Sequence, residues 1–333
     1  MAGFGAALFF GVPAEFSQPL ATFLAGAGVL SAGLLAYFNG QHSRAQTEAH
    51  HKIDSRHTKE SALRDRYTAI ASQIADESAA IRQAGIYALT ALADDWHAFG
   101  EDDERQVCIN LLQWYLRVPF PVGDDPDKPD LSEREIRQTI VAILTERRHR
   151  PAEHPKSWVA TAVSLNQVSL PNCTLGYDGL ADLNLSGADL TGADLSYSDL
   201  TRANLSYSDL TRADLVSTNL TRADLIGADL THADLTHADL THAGLTHADL
   251  TDADLTSADL THANLTDANL TDADLTGADL SRADLSNANL TRANLTAAKL
   301  TRANLTDTQL SGVKYNEFTR WPDGFTPPPL PQP

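Results

Sequence analysis

The residues of this chain that could do chemistry are aspartate, serine, threonine and histidine, and most of them recur in its C-terminal half. Four histidines, His232, His237, His242 and His247, follow one another at intervals of five residues, and clustered histidines are potential metal ligands. Aspartates there often lie two residues before a serine or threonine, which offers carboxylates and hydroxyls for acid–base chemistry. Whether these groups converge on a site depends on the elements that position them.

Leucine sets those elements, because it occupies every fifth position from Leu165 to Leu310, thirty times in succession. The residue two before leucine is mostly alanine, the residue before it is mostly Asp or Asn, and the residue after it is mostly Ser or Thr. In an α-helix, leucines at this period would rotate around all sides, and in a strand they would alternate between the two faces. The chain must therefore turn once per repeat, with leucine and alanine inside and polar residues at the turns.

The repeated string, as in Ala233-Asp-Leu-Thr-His237, resembles the A(D/N)LXX signature of the pentapeptide-repeat family. The resemblance implies a mainly β fold, a right-handed quadrilateral β-helix with four repeats per coil, so that each face recurs every twenty residues. Thirty repeats would make about seven and a half coils and, at ~4.8 Å per coil, a rod roughly 36 Å long. Four aromatic residues after the repeats are similar to the closing segment of family members: Tyr315, Phe318, Trp321 and Phe325.

Sorted by this twenty-residue register, two columns of side chains are candidate surfaces for a protein partner. The acidic column lies on the Leu195 face and consists of Asp194, Asp214, Asp234, Asp254 and Asp274. The basic column is placed on the Leu200 face and consists of Arg202, Arg222, His242, His262, Arg282 and Arg302. We expect the rod to be acidic on three sides and close to neutral on the side that holds the basic column.

The same register argues against a catalytic, cofactor or metal site. The four consecutive histidines are sent to four different sides, so that only His242 and His262 stack on one face. The repeat aspartates are exposed and lack the desolvation that would tune their acidity. Cys108 and Cys173 are predicted to be reduced and buried. We therefore predict that the protein is not an enzyme and needs no cofactor, with catalysis in the helical residues 60–150 as a weaker alternative.

A formal net charge of -19 disfavours direct binding of nucleic acid or of an anionic membrane surface, so a protein partner is expected. Some members of the resembled family imitate DNA in shape and charge and bind type II topoisomerases such as DNA gyrase. The acidic column permits this function. The alternative is that Asp precedes Leu only because it stabilises a turn.

The N-terminal residues 20–38 carry no charged side chain and are long enough for one membrane span. Basic residues follow this segment, with Arg44 the first, and almost no charge precedes it, so the positive-inside rule places the chain after about residue 40 in the cytoplasm. A hydrophobic helix buried within the protein is the alternative. Gly28 and Ala32, four apart, would let two spans pack closely, which allows a homodimer.

The predicted organisation has five parts. An N-terminal segment with the span covers residues 1–40, a polar juxtamembrane helix 41–76, a small helical domain 77–155, the β-helix 160–312, and an aromatic cap with a Pro-rich tail 313–333. Within the helical domain, Ser132 with Glu135 three residues on predicts a helix start. Around Arg66-Tyr67 and Gly85-Ile86-Tyr87-Ala88-Leu89 the layout resembles membrane-anchored actinobacterial pentapeptide-repeat proteins. The leading hypothesis is a membrane-tethered, non-enzymatic scaffold that presents the rod in the cytoplasm.

Overall fold

The computed structural model describes residues 48, 50–119, 131–176 and 179–329, and the chain divides into two compact units, Met1–Arg66 and Tyr67–Pro333. Helix α1 covers residues 50–74, and its first part, in the first unit, is almost entirely exposed. The predicted span at residues 20–38 lies outside the described residues. Across the described ranges, no helix combines the length and the apolar character needed to cross a bilayer.

Three further helices belong to the second unit: α2 (Ala79–Phe99), α3 (Asp102–Arg117) and α4 (Leu131–His149). Helix α2 buries an apolar stripe that includes Ile86, Leu89 and Trp96, and it ends at Gly100, whose φ of 88° suits the left-handed region. Helix α3 begins with three acidic residues, which interact favourably with the positive end of the helix dipole. Helix α4 begins at Leu131, so Ser132 lies inside the helix and not at the predicted cap.

The helical region closes the N-terminal edge of the repeat coil, which the sequence did not predict. The amide of Ser169 donates to the last turn of α3, at Leu116 O (2.8 Å). The fully buried Arg137 of α4 donates to Ser169 O (2.7 Å), to Leu116 O (3.2 Å) and to Glu133 Oε1 (2.9 Å). Glu133 in turn accepts hydrogen bonds from Arg82 and Tyr115. One buried polar network therefore joins α2, α3 and α4 to the first coil.

The repeats form the predicted solenoid with leucine and alanine inside. The repeat leucines from Leu165 to Leu300 are at most 3 % exposed, and the alanines two before them are equally enclosed over most of the run. Backbone hydrogen bonds link each repeat to the one twenty residues on, as where Leu195 N donates to Asp214 O (2.8 Å). The interior is thus a continuous apolar core that only the stacking of coils can complete.

The expected β content takes the form of isolated parallel bridges, one per repeat, such as Asp194 with Asp214. Within the described residues no longer strand is formed. The reason is geometric, because two of every five residues belong to a turn and only the residue before leucine makes the bridge. The prediction of a coiled β architecture holds, whereas regular strands do not form.

Each turn places the second residue after leucine in the left-handed region. Arg202, His242 and Ala297 have φ values of 57°, 61° and 58°, and Gly192 has 62°. In each turn the amide of the third residue after leucine donates to the leucine carbonyl, as from Ala203 N to Leu200 O (2.9 Å). A positive φ at the second central residue is the mark of a type II turn. This position projects outward at every corner of the coil.

The C-terminal edge departs from the register. The last bridge joins Lys299 to Arg320, a separation one residue longer than the twenty seen elsewhere. Tyr315 and Phe325 both contact Trp321 with ring centroids 5.3 Å apart, and the Tyr315 hydroxyl donates to Pro328 O (2.6 Å). These three aromatics form a cluster after the last repeat leucine, and the cap itself stays a prediction. Phe318 does not contribute to it as predicted, since it is 66 % exposed.

Candidate functional site

The acidic column occupies the centre of the Leu195 face. Its five aspartates are joined by successive parallel bridges, and the column continues into Asn294 and Lys314. In each aspartate, Oδ1 accepts the amide hydrogen of the residue two positions later, at 2.9 to 3.1 Å. The carboxylates therefore hold the turns, and Asn would offer the same acceptor. The structure thereby explains why both Asp and Asn occur before leucine. It does not explain why this column holds only Asp through five coils.

The basic column lies at a corner, which differs from its predicted place on the Leu200 face. Its six residues all occupy the left-handed turn position between the Leu200 and Leu205 faces, and all six are exposed. The column centred on the Leu205 face is the least charged before leucine, with Asp224 and Asp284 as its only acids from residue 184 to 304 and with Gly244 in its middle. The basic column therefore borders the least acidic face.

Basic side chains stack upon one another along the basic column. The rings of His242 and His262 lie 4.7 Å apart and nearly parallel, at 12°. Arg282 Nη1 donates a hydrogen bond to His262 Nε2 (3.3 Å). At the N-terminal end Arg202 makes a bidentate pair with Asp182 (2.6 Å for each bond), and this hydrogen bonding lowers the pKa of the Asp182 carboxyl. Beyond Arg202, the column contains no acid.

Two other corners each contain a contact between residues of opposite type. Arg292 pairs with Asp272 one coil below, with 2.7 Å between Nε and Oδ1. At a neighbouring corner, His247 Nδ1 lies 4.0 Å from Asp267 Oδ2. Hydrogen bonding from Arg292 lowers the pKa of Asp272. These two contacts are complementary, whereas Asp252 and Asp272 at the first corner are like residues stacked across coils.

No reactive centre is assembled from the remaining candidates. The four consecutive histidines lie at four separate corners, and the described part of the chain holds no cluster of three or more metal-ligating side chains. Both cysteines are free and buried, as predicted. Burial raises the pKa of Cys108 to about 12 and that of Cys173 to about 11, so neither thiol is activated as a nucleophile.

Two exposed tyrosines form a surface feature that the sequence interpretation missed. Tyr197 and Tyr207 are 74 % and 72 % exposed, and each lies in an identical nine-residue string, at 195–203 and 205–213. The strings are half a coil apart, so the tyrosines project from opposite corners. The turns stacked on them carry Val216 and Ile226, in place of the usual Ser or Thr. The repeated string was the available signal, and it was hidden by the stronger five-residue period.

The sequence profile described as pentapeptide repeats matches the chain in 8 copies, over residues 184–222, 218–256, 248–287 and 278–314. The comparison with curated proteins gives no significant match. Among solved structures, HetL from the cyanobacterium Nostoc sp. strain PCC 7120 is a pentapeptide repeat protein described as involved in heterocyst differentiation regulation. It is 37 % identical, with 46 % of this chain and 80 % of HetL covered, at a TM-score of 0.32.

Two other solved structures extend the comparison. The pentapeptide repeat protein alr5209 from Nostoc PCC 7120 is 42 % identical, with 28 % of this chain and 77 % of that chain covered, at a TM-score of 0.28. QnrB1, described as a plasmid-mediated fluoroquinolone resistance protein, is 25 % identical, with 45 % and 83 % covered, at a TM-score of 0.27. With its leucine-centred coils and with sequence identity over most of the length of these relatives, this chain belongs to the pentapeptide-repeat family.

Proposed function

We propose that the solenoid is a non-enzymatic platform that binds another protein, and the paired tyrosines carry this proposal. From residue 184 to residue 314, the exposed large hydrophobic side chains are Tyr197, Tyr207 and Ile226 alone. Tyrosine is enriched at interfaces because it supplies apolar area together with a polar hydroxyl. Tyr197 at one corner, and Tyr207 with Ile226 at the opposite corner, therefore indicate where a partner contacts an otherwise hydrophilic rod.

The test is retention of a partner by the full-length chain in extracts of the native host. The variant Tyr197→Ser/Tyr207→Ser removes both rings from positions where Ser217 and Ser257 show that serine is accepted. The matched control is His237→Ser/His247→Ser, two coils further along the same two corners. We expect wild type and control to retain the same protein and the tyrosine variant to lose it. Equal retention by all three chains would contradict the proposal.

A second candidate function is inhibition or protection of a type II topoisomerase by imitation of DNA, and the uncompensated acidic column favours it. A positively charged groove of a partner attracts regularly spaced negative charge. The full-length chain should then slow supercoiling by DNA gyrase. Changing all five column aspartates to asparagine keeps each turn acceptor and removes the charge, so this variant should lose the inhibition. Supercoiling that is unaffected by wild type would exclude this function.

We also propose that the N-terminal segment tethers the rod to a membrane, with the basic residues that follow it on the cytoplasmic side. The support is the sequence of residues 20–38 and the charge asymmetry around it. Cell fractionation tests the tether. The full chain should pellet with membranes and be released by detergent, whereas a chain without residues 1–40 should be recovered in the supernatant. Recovery of both chains without detergent would contradict the tether.

A further inference from the structure

Stacking of like charges is unfavourable within a β-coil, and the basic column places arginine over arginine at two steps, Arg202 with Arg222 and Arg282 with Arg302. Like charges directly opposite each other on neighbouring strands are destabilising, and these arginines lie over one another in the same way at a corner of the coil. Elsewhere on the rod, Arg292 lies over Asp272 and His247 lies beside Asp267. Among the described residues, Arg222 and Arg302 form no ion pair. Apart from the pair of Arg202 with Asp182, the basic column is thus left without an ion pair among the described residues.

The acidic column is uncompensated in the same way. Turn stability does not require its charge, because asparagine serves the same turns elsewhere. Asn269 and Asn289 even add bonds between coils, as where Asn289 Nδ2 donates to Asn269 Oδ1 (3.3 Å). Where asparagine follows the column, Asn294 Nδ2 donates to Asp274 Oδ1 (3.2 Å). Asparagine at these five positions would add side-chain hydrogen bonds between coils. The aspartates of the acidic column do not make these bonds with one another.

The spacing of both columns identifies what could neutralise them. Each is set by the same hydrogen bonds between coils, at about 4.8 Å per step. An extended peptide presents side chains on one side only every ~6.6–7 Å, so it would match neither column beyond one or two residues. Another stack of β-coils matches at every step. The second copy of this chain carries such a stack, with the opposite charge.

We propose that the basic column of one copy binds the acidic column of a second copy, so that rods associate side by side. This inference rests on the proposed function of the solenoid as a protein-binding surface. The long arginine side chains at the corner project towards the flat Leu195 face of the neighbour. The net charge of -19 opposes association at long range, so the contact acts at distances within the Debye length, about 8 Å at physiological salt.

The two columns point in different directions, which determines the kind of assembly. The acidic column is centred on one face, and the basic column lies beyond the next face, at its far corner. A single neighbour placed alongside cannot contact both columns. Each copy therefore has one neighbour on each column, and such a heterologous contact grows into a ring or an open array and does not stop at a dimer.

Sedimentation equilibrium of the full-length chain, in detergent if required, tests the proposal. The weight-average mass should rise with concentration in low salt and fall to that of the monomer in 1 M salt, where the Debye length is about 3 Å. Replacing three acidic-column residues by Asn removes charge and keeps the turns. This change should weaken association about tenfold, from three pairs of the strength of exposed ion pairs. The residues are Asp214, Asp234 and Asp254.

Charge reversal gives the decisive arm. The column-reversed variant changes the same three aspartates to lysine, which Lys299 and Lys314 show to be accepted before leucine or its equivalent. A second variant, with the basic column reversed, changes three arginines of that column to aspartate. Other corners hold aspartate at the same turn position. Neither variant should associate alone, and their mixture should associate as wild type does. The arginines are Arg222, Arg282 and Arg302.

Two outcomes would overturn the proposal. A wild-type chain that stays monomeric at every salt concentration is one, and a mixture of reversed variants that stays monomeric is the other. If association depended only on the net charge, the column-reversed variant would associate more strongly than wild type, because it has less net negative charge. Our proposal predicts that this variant does not associate alone. The Tyr197→Ser/Tyr207→Ser variant should still associate, so loss of its separate partner and loss of self-association are distinguishable.

Discussion

The role of aspartate before leucine can be measured at Asp234, in the middle of the acidic column. Its Oδ1 accepts the amide of Thr236 at 2.9 Å, and its bridge partners are Asp214 and Asp254. Removing a hydrogen-bond acceptor of this kind reduces the free energy of unfolding by about 0.5–1.5 kcal/mol. Relieving two like-charge contacts increases it by about 0.2–1 kcal/mol each. The two effects oppose each other in Asp234→Ala, and only the second operates in Asp234→Asn.

We therefore expect Asp234→Asn to be more stable than wild type, and Asp234→Ala to be less stable than Asp234→Asn by about 1 kcal/mol. Urea unfolding of the full chain followed by far-UV circular dichroism gives both free energies. Added salt screens repulsion, so the gain of Asn over wild type should shrink, whereas the difference between Asn and Ala should persist. If Asn and Ala have equal stability, the aspartate does not hold its turn and the account of the repeat is wrong.

Three other changes probe the interior, the turn and an ion pair. Leu245→Ala should lower the free energy of unfolding by about 2–5 kcal/mol because the buried side chain leaves a cavity, and a loss well below this in thermal unfolding would contradict close packing. Ala297→Gly should stabilise by ~0.5–1 kcal/mol by relieving a positive φ, whereas Ala298→Gly, inside the coil, should destabilise. The Asp182 carboxylate should titrate below its ordinary pKa in NMR, and its contribution to stability, complete above that ordinary pKa, should be lost as pH falls through the lowered value. Arg202→Gln should restore an ordinary pKa, and an unchanged titration would refute the pairing.

The sequence predicted the inside of the rod well, because only one arrangement buries a leucine at every fifth position. Leu195 and Leu245 are fully enclosed, as the register requires. The same register predicted that His242 would stack on His262, and their rings are 4.7 Å apart. Such agreement follows from a repeat that leaves no freedom in how one coil meets the next.

Features that depend on backbone contacts or on the sign of φ were not predicted. The hydrogen bond between Ser169 and Leu116 joins two main-chain groups, so no pattern of side chains in the sequence predicts it. The corner position of Arg202 follows from a φ of 57°, which glycine would have indicated and arginine does not. Phe318 was assigned to the cap because it is aromatic, yet its side chain is exposed.

That extra residue between Lys299 and Arg320 gives the rod a fixed stop. A chain laid on this end would meet amides and carbonyls one position out of step, and the prolines from Pro327 onward offer it no amide hydrogen at all. With α3 and α4 sealing the opposite end, elongation is confined to the middle. Whole coils of twenty residues can be gained or lost there without altering either end of the rod. The length of the rod can therefore evolve independently of the helices at its N-terminal end and of the segment at its C-terminal end.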